Sequence, residues 1–456
     1  MPIDYSKWDK LELSDDEDSD NAEAAPSPSA PPPPRSNFRP KHKPAASTDG
    51  GRVAIASTVK DVSERIESWI KWHLHVGFER LYLFFDDPDE SDSMAIAESA
   101  GGNAVEIIRR DEALRRRWAE QPSWHSHRDV ADDNIQVRQS LNVQHAMDLC
   151  RKGGMTWLLH IDSDELFLPD ASEMAGPDSA DEVKGAAGRL FDSLAASGAE
   201  AFAFANHEVV PEHVAEIDTT RDYGSSARGD PFATLSLFKL SYSPAFVART
   251  AETEAIADEW RCRQPGREFE EGLYFLYYEH GKSAVRVDTD GNYVPPTVHH
   301  FFPRRPGLLG GGWDKDRLKR RGLTNDARNA SLYTHRPDVK ASVLHYAMWD
   351  PRALWAKYRL HGDFSDEISG VAVRDRNGGA GSFRWGDLFH ARCRDVYLAA
   401  RDDADAGRGA MRDLFREAAA VEDEGEAERQ VRAGMLRRFG VVREVLRREG
   451  VAAAGG

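Results

Sequence analysis

The chain has little cysteine: Cys150, Cys262 and Cys393 are three in 456 residues, odd in number and far apart. None stands in a C-x-x-C pair, which speaks against a disulfide framework and a thiolate metal site, and the three read as thiols in a reducing compartment. Long apolar runs are missing too. No stretch approaches the roughly 20 apolar residues that span a bilayer, and the amino terminus shows no basic and then apolar leader, so the expected location is the cytoplasm. Positive charge is outweighed: 60 Lys and Arg against 77 Asp and Glu leave a formal net charge of -17. That balance argues against a nucleic-acid partner, whose phosphates need clustered cations, and against an anionic membrane surface. Residues 57–60, at the end of the first apolar run, read Ser-Thr-Val-Lys, and the three glycines at 310–312 follow no strand. A dinucleotide-binding oxidoreductase would need a glycine-rich turn after that first strand.

What is present centres on residues 155–169, an apolar run broken by Asp162, Asp164 and Glu165 before it turns apolar again. Residues 157–161 have the length of a strand buried on both faces, so the acids fall at its carboxyl end. Side chains two apart in an extended segment face the same way, and Asp162 and Asp164 can therefore converge on one point while Ser163 faces the other. Acids after a strand are common turn formers. Two hard oxygen donors at the end of so apolar a strand, however, make a partial site for Mg2+ or Mn2+, cations that retain waters and substrate phosphates. A calcium loop of the EF-hand kind is excluded, because its sixth position would be Phe167 where glycine is required.

Residues 1–50 are too acidic and then too proline-rich to fold alone, and are expected to form a disordered tail. An α/β domain is expected over residues 51–360 and a helical extension over 361–456. Residues 53–59 read as a first buried strand ending in Lys60 and Asp61. Val62, Ile66, Trp69, Ile70 and His73 then recur at helical spacing up to Gly77, and residues 81–85 form a second strand ending in Asp86 and Asp87. Strand, helix and strand make a βαβ unit with parallel strands, whose ligands bind at the carboxyl ends. Residues 105–108 predict a third strand, residues 135–150 a helix, 190–196 another, and 201–204 a strand closing with Asn206, His207 and Glu208. Residues 274–278 and 282–287 continue the strand pattern. Asp288 and Asp290 repeat the Asp-x-Asp spacing, but Gly291 makes that a hairpin turn. The segment at 124–127 reads as a loop, and residues 352–360, 388–399 and 410–448 as helices. Two carboxylates leave a metal short of a ligand; His300 and His345 are the candidates, with His300 favoured because it follows an expected strand directly.

Taken together, Lys60 and Asp61, the helix with Trp69, His73 and Gly77, the acidic end at Asp86 and Asp87 with Asp92 beyond it, Gln139, Asn142 and the 157–168 block resemble, in order and spacing, the family 92 and family 2-like glycosyltransferases. His299, His300 and Phe301, then His345, Tyr346 and Lys357, are similar to the same group. The resemblance implies the GT-A fold: a mixed, mainly parallel sheet flanked by helices. It implies metal-dependent, inverting transfer from a nucleotide-sugar donor to a glycan, protein or small-molecule acceptor. Asp162, Asp164, His300 and His345 become the candidate Mn2+ or Mg2+ ligands; Lys60, Asp61, Asp86, Asp87 and Asp162 the candidate donor contacts; Glu208 and then Glu165 the candidate general bases. A catalytically silent nucleotide-sugar or glycan binding module on the same fold is the alternative. Residues 4–18, with Ser14 followed by four acids, resemble the amino-terminal segment of the kinase-specific co-chaperones of the ninety-kilodalton heat-shock protein, which implies phosphorylation of Ser14 by a kinase.

Overall fold

The structure is a computed structural model that describes residues 52–121, 123–129, 131, 132, 134–170, 179–212, 229–263, 281–289, 293–295, 299, 301–303, 339–347, 349–353, 367, 368, 371, 372 and 404–451. The tail with Ser14, His300, the expected strand at 274–278, the turn at Asp290 and Gly291, and the expected helix at 388–399 lie outside the described residues.

Val53–Val59 (β1), Arg80–Phe85 (β2), Val105–Arg109 (β3) and Trp157–His160 (β4) are mutually parallel in the order β3-β2-β1-β4. Every residue of β1 is buried. Its alternation serves two cores: Val53, Ile55 and Val59 pack on one face, Ala54 and Ala56 on the other. The small pair lets the helix Ile135–Gly153 approach closely, whereas the large face receives Trp69, Ile70 and Val76 of the helix Ile66–Val76, called α1. Burying each such large side chain contributes roughly 1.5–3 kcal/mol. Glycine is required at the end of α1, because Gly77 has a φ of 107° and a Cβ there would lie 2.7 Å from the Cα of Gly185. Ser91–Gly101 follows β2 as α2, and Ile135–Gly153, leading into β4, is α3.

Beyond β4 the sheet changes direction. Glu165–Leu168 (β5), Ala201–Val209 (β6), Leu237–Lys239 (β7), Lys282–Arg286 (β8), Ser342–His345 (β9) and Leu436–Arg438 (β10) complete ten strands. β8 inserts antiparallel between β4 and β6, and β9 lies parallel to β6 and antiparallel to β5. Among the described residues only β5, β7 and β8 run against the other seven strands of this sheet, so the mixed, mainly parallel sheet implied by the resemblance is the one observed. Ala186–Ala196 (α4) covers the first core, and Val441–Arg448 (α5) packs its buried Val441, Val442, Val445 and Leu446 against the same side.

Four elements differ from the sequence reading. The strand expected at 201–204 runs on to Val209, because the buried polar residues Asn206, His207 and Glu208 are paired by β9. His345 lies inside a strand where the sequence reading had placed none, since β9 is inserted between two neighbours. Within the charged carboxyl-terminal stretch, Leu436–Arg438 leaves the helical pattern and pairs with β7. Residues 124–127 form a short helix. Among the described residues no helix is long and apolar enough to cross a membrane.

Candidate active site

The Asp162 to Asp164 turn joins β4 to β5, and β5 fixes its far end. One edge of β5 pairs with β9; the other is met by side chains of α1. The Trp69 indole donates to the Glu165 carbonyl at 2.8 Å and the Trp72 indole to the Phe167 carbonyl at 2.8 Å. The Phe167 amide donates to Nε2 of His73 at 3.1 Å, while Nδ1 of the same ring lies 2.8 Å from the Trp69 carbonyl. His73 is thus required as a neutral ring, and burial lowers its pKa to about 3. The predicted apolar helix face therefore also satisfies the exposed edge of a strand.

The pairing register lines up a row of buried ionisable groups. His345 stands opposite Glu165 on one side and Glu208 on the other, and Glu208 stands opposite Lys239. Nδ1 of His345 lies 2.9 Å from Oε1 of Glu208, and its Nε2 lies 3.8 Å from Oδ2 of Asp164. The Asn206 amide also donates to Glu208. Backbone holds the pair together as well: the Tyr346 amide donates to the Asp164 carbonyl at 2.8 Å. Burial alone would lower the His345 pKa, but Glu208, with Asp164 and Glu165, outweighs it and raises the ring to about 9.

Asp162 faces a different set. Its Oδ1 accepts from the Gln139 amide at 2.6 Å and its Oδ2 from Lys282 at 2.5 Å. Its backbone amide donates to Oε2 of Glu165 at 2.7 Å, and Lys282 lies 3.6 Å from that oxygen. Burial pushes the Asp162 carboxyl up, yet the Lys282 ammonium holds it below the usual carboxylate range. Glu165 is raised to about 7, chiefly by burial, against the pull of Lys282. Arg65 bridges two loops: it donates to the Asp61 carbonyl at 3.2 Å and to the Ser163 carbonyl at 3.3 Å.

At the β1 and β2 ends, Asp61 is an exposed residue with a φ of 52°, the left-handed region unusual for a side chain other than glycine. Glu90 stabilises that turn by accepting from the Asp61 and Val62 amides at 3.0 and 2.9 Å. Asp86 is buried, its two oxygens accepting from Arg138 at 2.6 and 2.8 Å, and Asp87 accepts from the Asp89 amide at 3.0 Å. Lys60 is half-buried near Asp86. The Asp288 carboxylate is paired with Arg286, in keeping with a turn.

The structure thus brings Asp162, Asp164, Glu165, Glu208 and His345 together, places Lys60, Asp61, Asp86 and Asp87 at the neighbouring strand ends, and does not describe His300. Sequence reasoning missed Lys282, Asn206 and Arg138. A signal for Arg138 was available: Arg138, Gln139 and Asn142 are polar residues on the buried face of α3, and they bond Asp86, Asp162 and Thr58 at the ends of three strands. Among the described residues no group of three or more His, Cys, Asp or Glu is arranged to hold a metal. Asp164 and His345 are nevertheless a compatible pair of donors once the ring gives up the proton that the carboxylates hold on it, so a cation would bind there in exchange for that proton. Glu208 accepts at the ring nitrogen remote from Asp164, which is the carboxylate–histidine arrangement that directs the other nitrogen at a cation. Mg2+ and Mn2+ are commonly held by few protein ligands, the remainder being water and phosphate.

No family model matches the chain. Two glycosyltransferase-like proteins of Arabidopsis thaliana are similar to it. One is 26% identical over 257 residues, covering 54% of this chain and 48% of the relative. The other is 24% identical over 243 residues, covering 52% of this chain and 40% of the relative. The chain thus spans less than half the length of these relatives. Among solved structures, core-mannan synthase A from Aspergillus fumigatus in its Mn/GDP form is 8% identical with a TM-score of 0.19, over 54% of this chain and 62% of that one, a likeness too low to bear on the argument.

Proposed function

We propose that the chain is a glycosyltransferase that moves a sugar from a nucleoside-diphosphate donor to the hydroxyl of a glycan, protein or small-molecule acceptor, with Mn2+ or Mg2+ and with inversion. The observation that carries this reading is the Asp164, His345 and Glu208 array beside the carboxyl end of β4. Similarity to two proteins named glycosyltransferase-like supports it. Asp164 and His345 would hold the cation. When bound, that cation stabilises the negative charge developing on the departing diphosphate. Glu208 orients His345 through Nδ1. Lys60, Asp61 and Asp87, at the ends of β1 and β2, are the proposed donor contacts, and Asp86 shapes that end through its clamp on Arg138.

Of the two proposed bases, Glu208 is committed to His345 and Asn206. Glu165, with a carboxyl near 7, is better matched to taking a proton from an acceptor at neutral pH. Thermal shift with Mn2+ and a panel of sugar nucleotides tests the reading. A rise in melting temperature that needs both metal and one nucleotide is expected; no shift with any pair would contradict it.

A further inference from the structure

Lys282 has no part in the reading above, and its setting is exacting. It opens β8 opposite Phe204 of β6, with its side chain only 1% exposed, and faces Asp162 and Glu165. The backbone before it is held tightly. A Cβ on Gly281 would come within 1.6 Å of the Phe204 carbonyl oxygen, so only glycine lets β8 lie this close to β6. His299 secures the same segment: its Nδ1 lies 3.1 Å from the Gly281 carbonyl, and its own carbonyl accepts from the Ser283 hydroxyl at 2.5 Å. A buried ammonium between two carboxylates is a cation held by the same oxygen chemistry that would hold a metal.

We propose that Lys282 is a built-in counter-cation that keeps Asp162 out of the metal's coordination sphere, leaving Asp164 and His345 as the direct protein ligands. The proposal rests on the reading of Asp164 and His345 as a cation site. Both Asp162 oxygens are already engaged, Oδ1 by Gln139 and Oδ2 by Lys282, whereas the Asp164 carboxylate faces His345. Lys282 is accordingly a positioning residue. It balances the charge of Asp162 and Glu165 and sets which aspartate of the pair is offered to the metal.

The test is titration of the full chain with Mn2+ alone, reading free Mn2+ by electron paramagnetic resonance. Lys282→Met is expected to bind Mn2+ on the order of tenfold more tightly, because a repelling charge is gone and a carboxylate oxygen is released to the metal. Adding Asp162→Asn should cancel that gain and return the affinity to within about threefold of wild type, since the two residues act as one pair. Unchanged or weaker binding by a folded Lys282→Met variant overturns the proposal. If the single variant does not fold, the double variant decides: a loss of about tenfold would make Asp162 a ligand and overturn it, and near-wild-type affinity supports it. If the wild type binds no Mn2+, the cation-site reading fails separately; a Lys282→Met variant that gains binding then supports the counter-cation role, and one that does not removes it.

Discussion

The Nδ1 atom of His345 lies 2.9 Å from Oε1 of Glu208, across 137 positions of sequence. The two residues are register partners on adjacent parallel strands, and that pairing directs the other ring nitrogen to Asp164. A residue proposed as a base thereby becomes the support of a proposed metal ligand. Glu208→Gln keeps an acceptor but removes the negative charge. We expect it to weaken Mn2+ binding by about 10-fold or more, and to lower the melting temperature because the buried His345 ring loses its charged partner. Calorimetric titration measures this, and an unaltered affinity would separate Glu208 from the metal.

Gly281→Ala should be strongly destabilising for its size. Its methyl group would meet the Phe204 carbonyl oxygen at 1.6 Å, and backbone cannot yield as a flexible side chain can. Overpacking of this kind costs about 3 kcal/mol. Urea denaturation should show a lower midpoint, and the displaced β8 should disturb Lys282. A midpoint equal to wild type would show that β6 and β8 lie further apart.

Asp230 supplies a pH-dependent prediction. It caps the short helix Pro231–Thr234 by accepting from the Phe232 amide at 3.0 Å, and it accepts from the Ser68 hydroxyl of α1. Burial raises its pKa to about 6, against the lowering effect of those hydrogen bonds. Because the folded value lies above the unfolded one, the protonated carboxyl favours folding. That contribution is full below about pH 4 and is lost as pH rises through about 6. Asp230→Asn keeps the cap without the charge and should be more stable than wild type at pH 7 by up to about 3 kcal/mol, an advantage that disappears toward pH 4. Parallel pH profiles for the two proteins would refute the assignment.

The elements legible in the sequence were those set by local pattern. β1 could be read from its uninterrupted apolar run, α1 from its spacing and the glycine that ends it, and the acidic turn from its place after β4. Lys282 could not be read, because its partners are delivered by β8 entering between β4 and β6, a pairing that no local signal encodes. The same holds for His345, whose short segment resembles a loop until β5 and β6 flank it. Polar residues hid structure in a different way. Asn206, His207 and Glu208 made β6 look finished, and Arg138 stands among polar residues of α3 whose burial shows only once the helix is packed on the sheet.

The central claim is that Asp164 serves metal-dependent transfer from a sugar nucleotide. The most direct measurement is release of nucleoside diphosphate from a panel of sugar nucleotides by the full chain with Mn2+, compared with the Asp164→Ala variant and with chelator present. The account predicts release from at least one donor, and loss of it by about 100-fold or more in the variant and with chelator, as expected when charge stabilisation of the leaving group is removed. Release that persists in Asp164→Ala with a chelator present, or no release from any donor by the wild type, would contradict it.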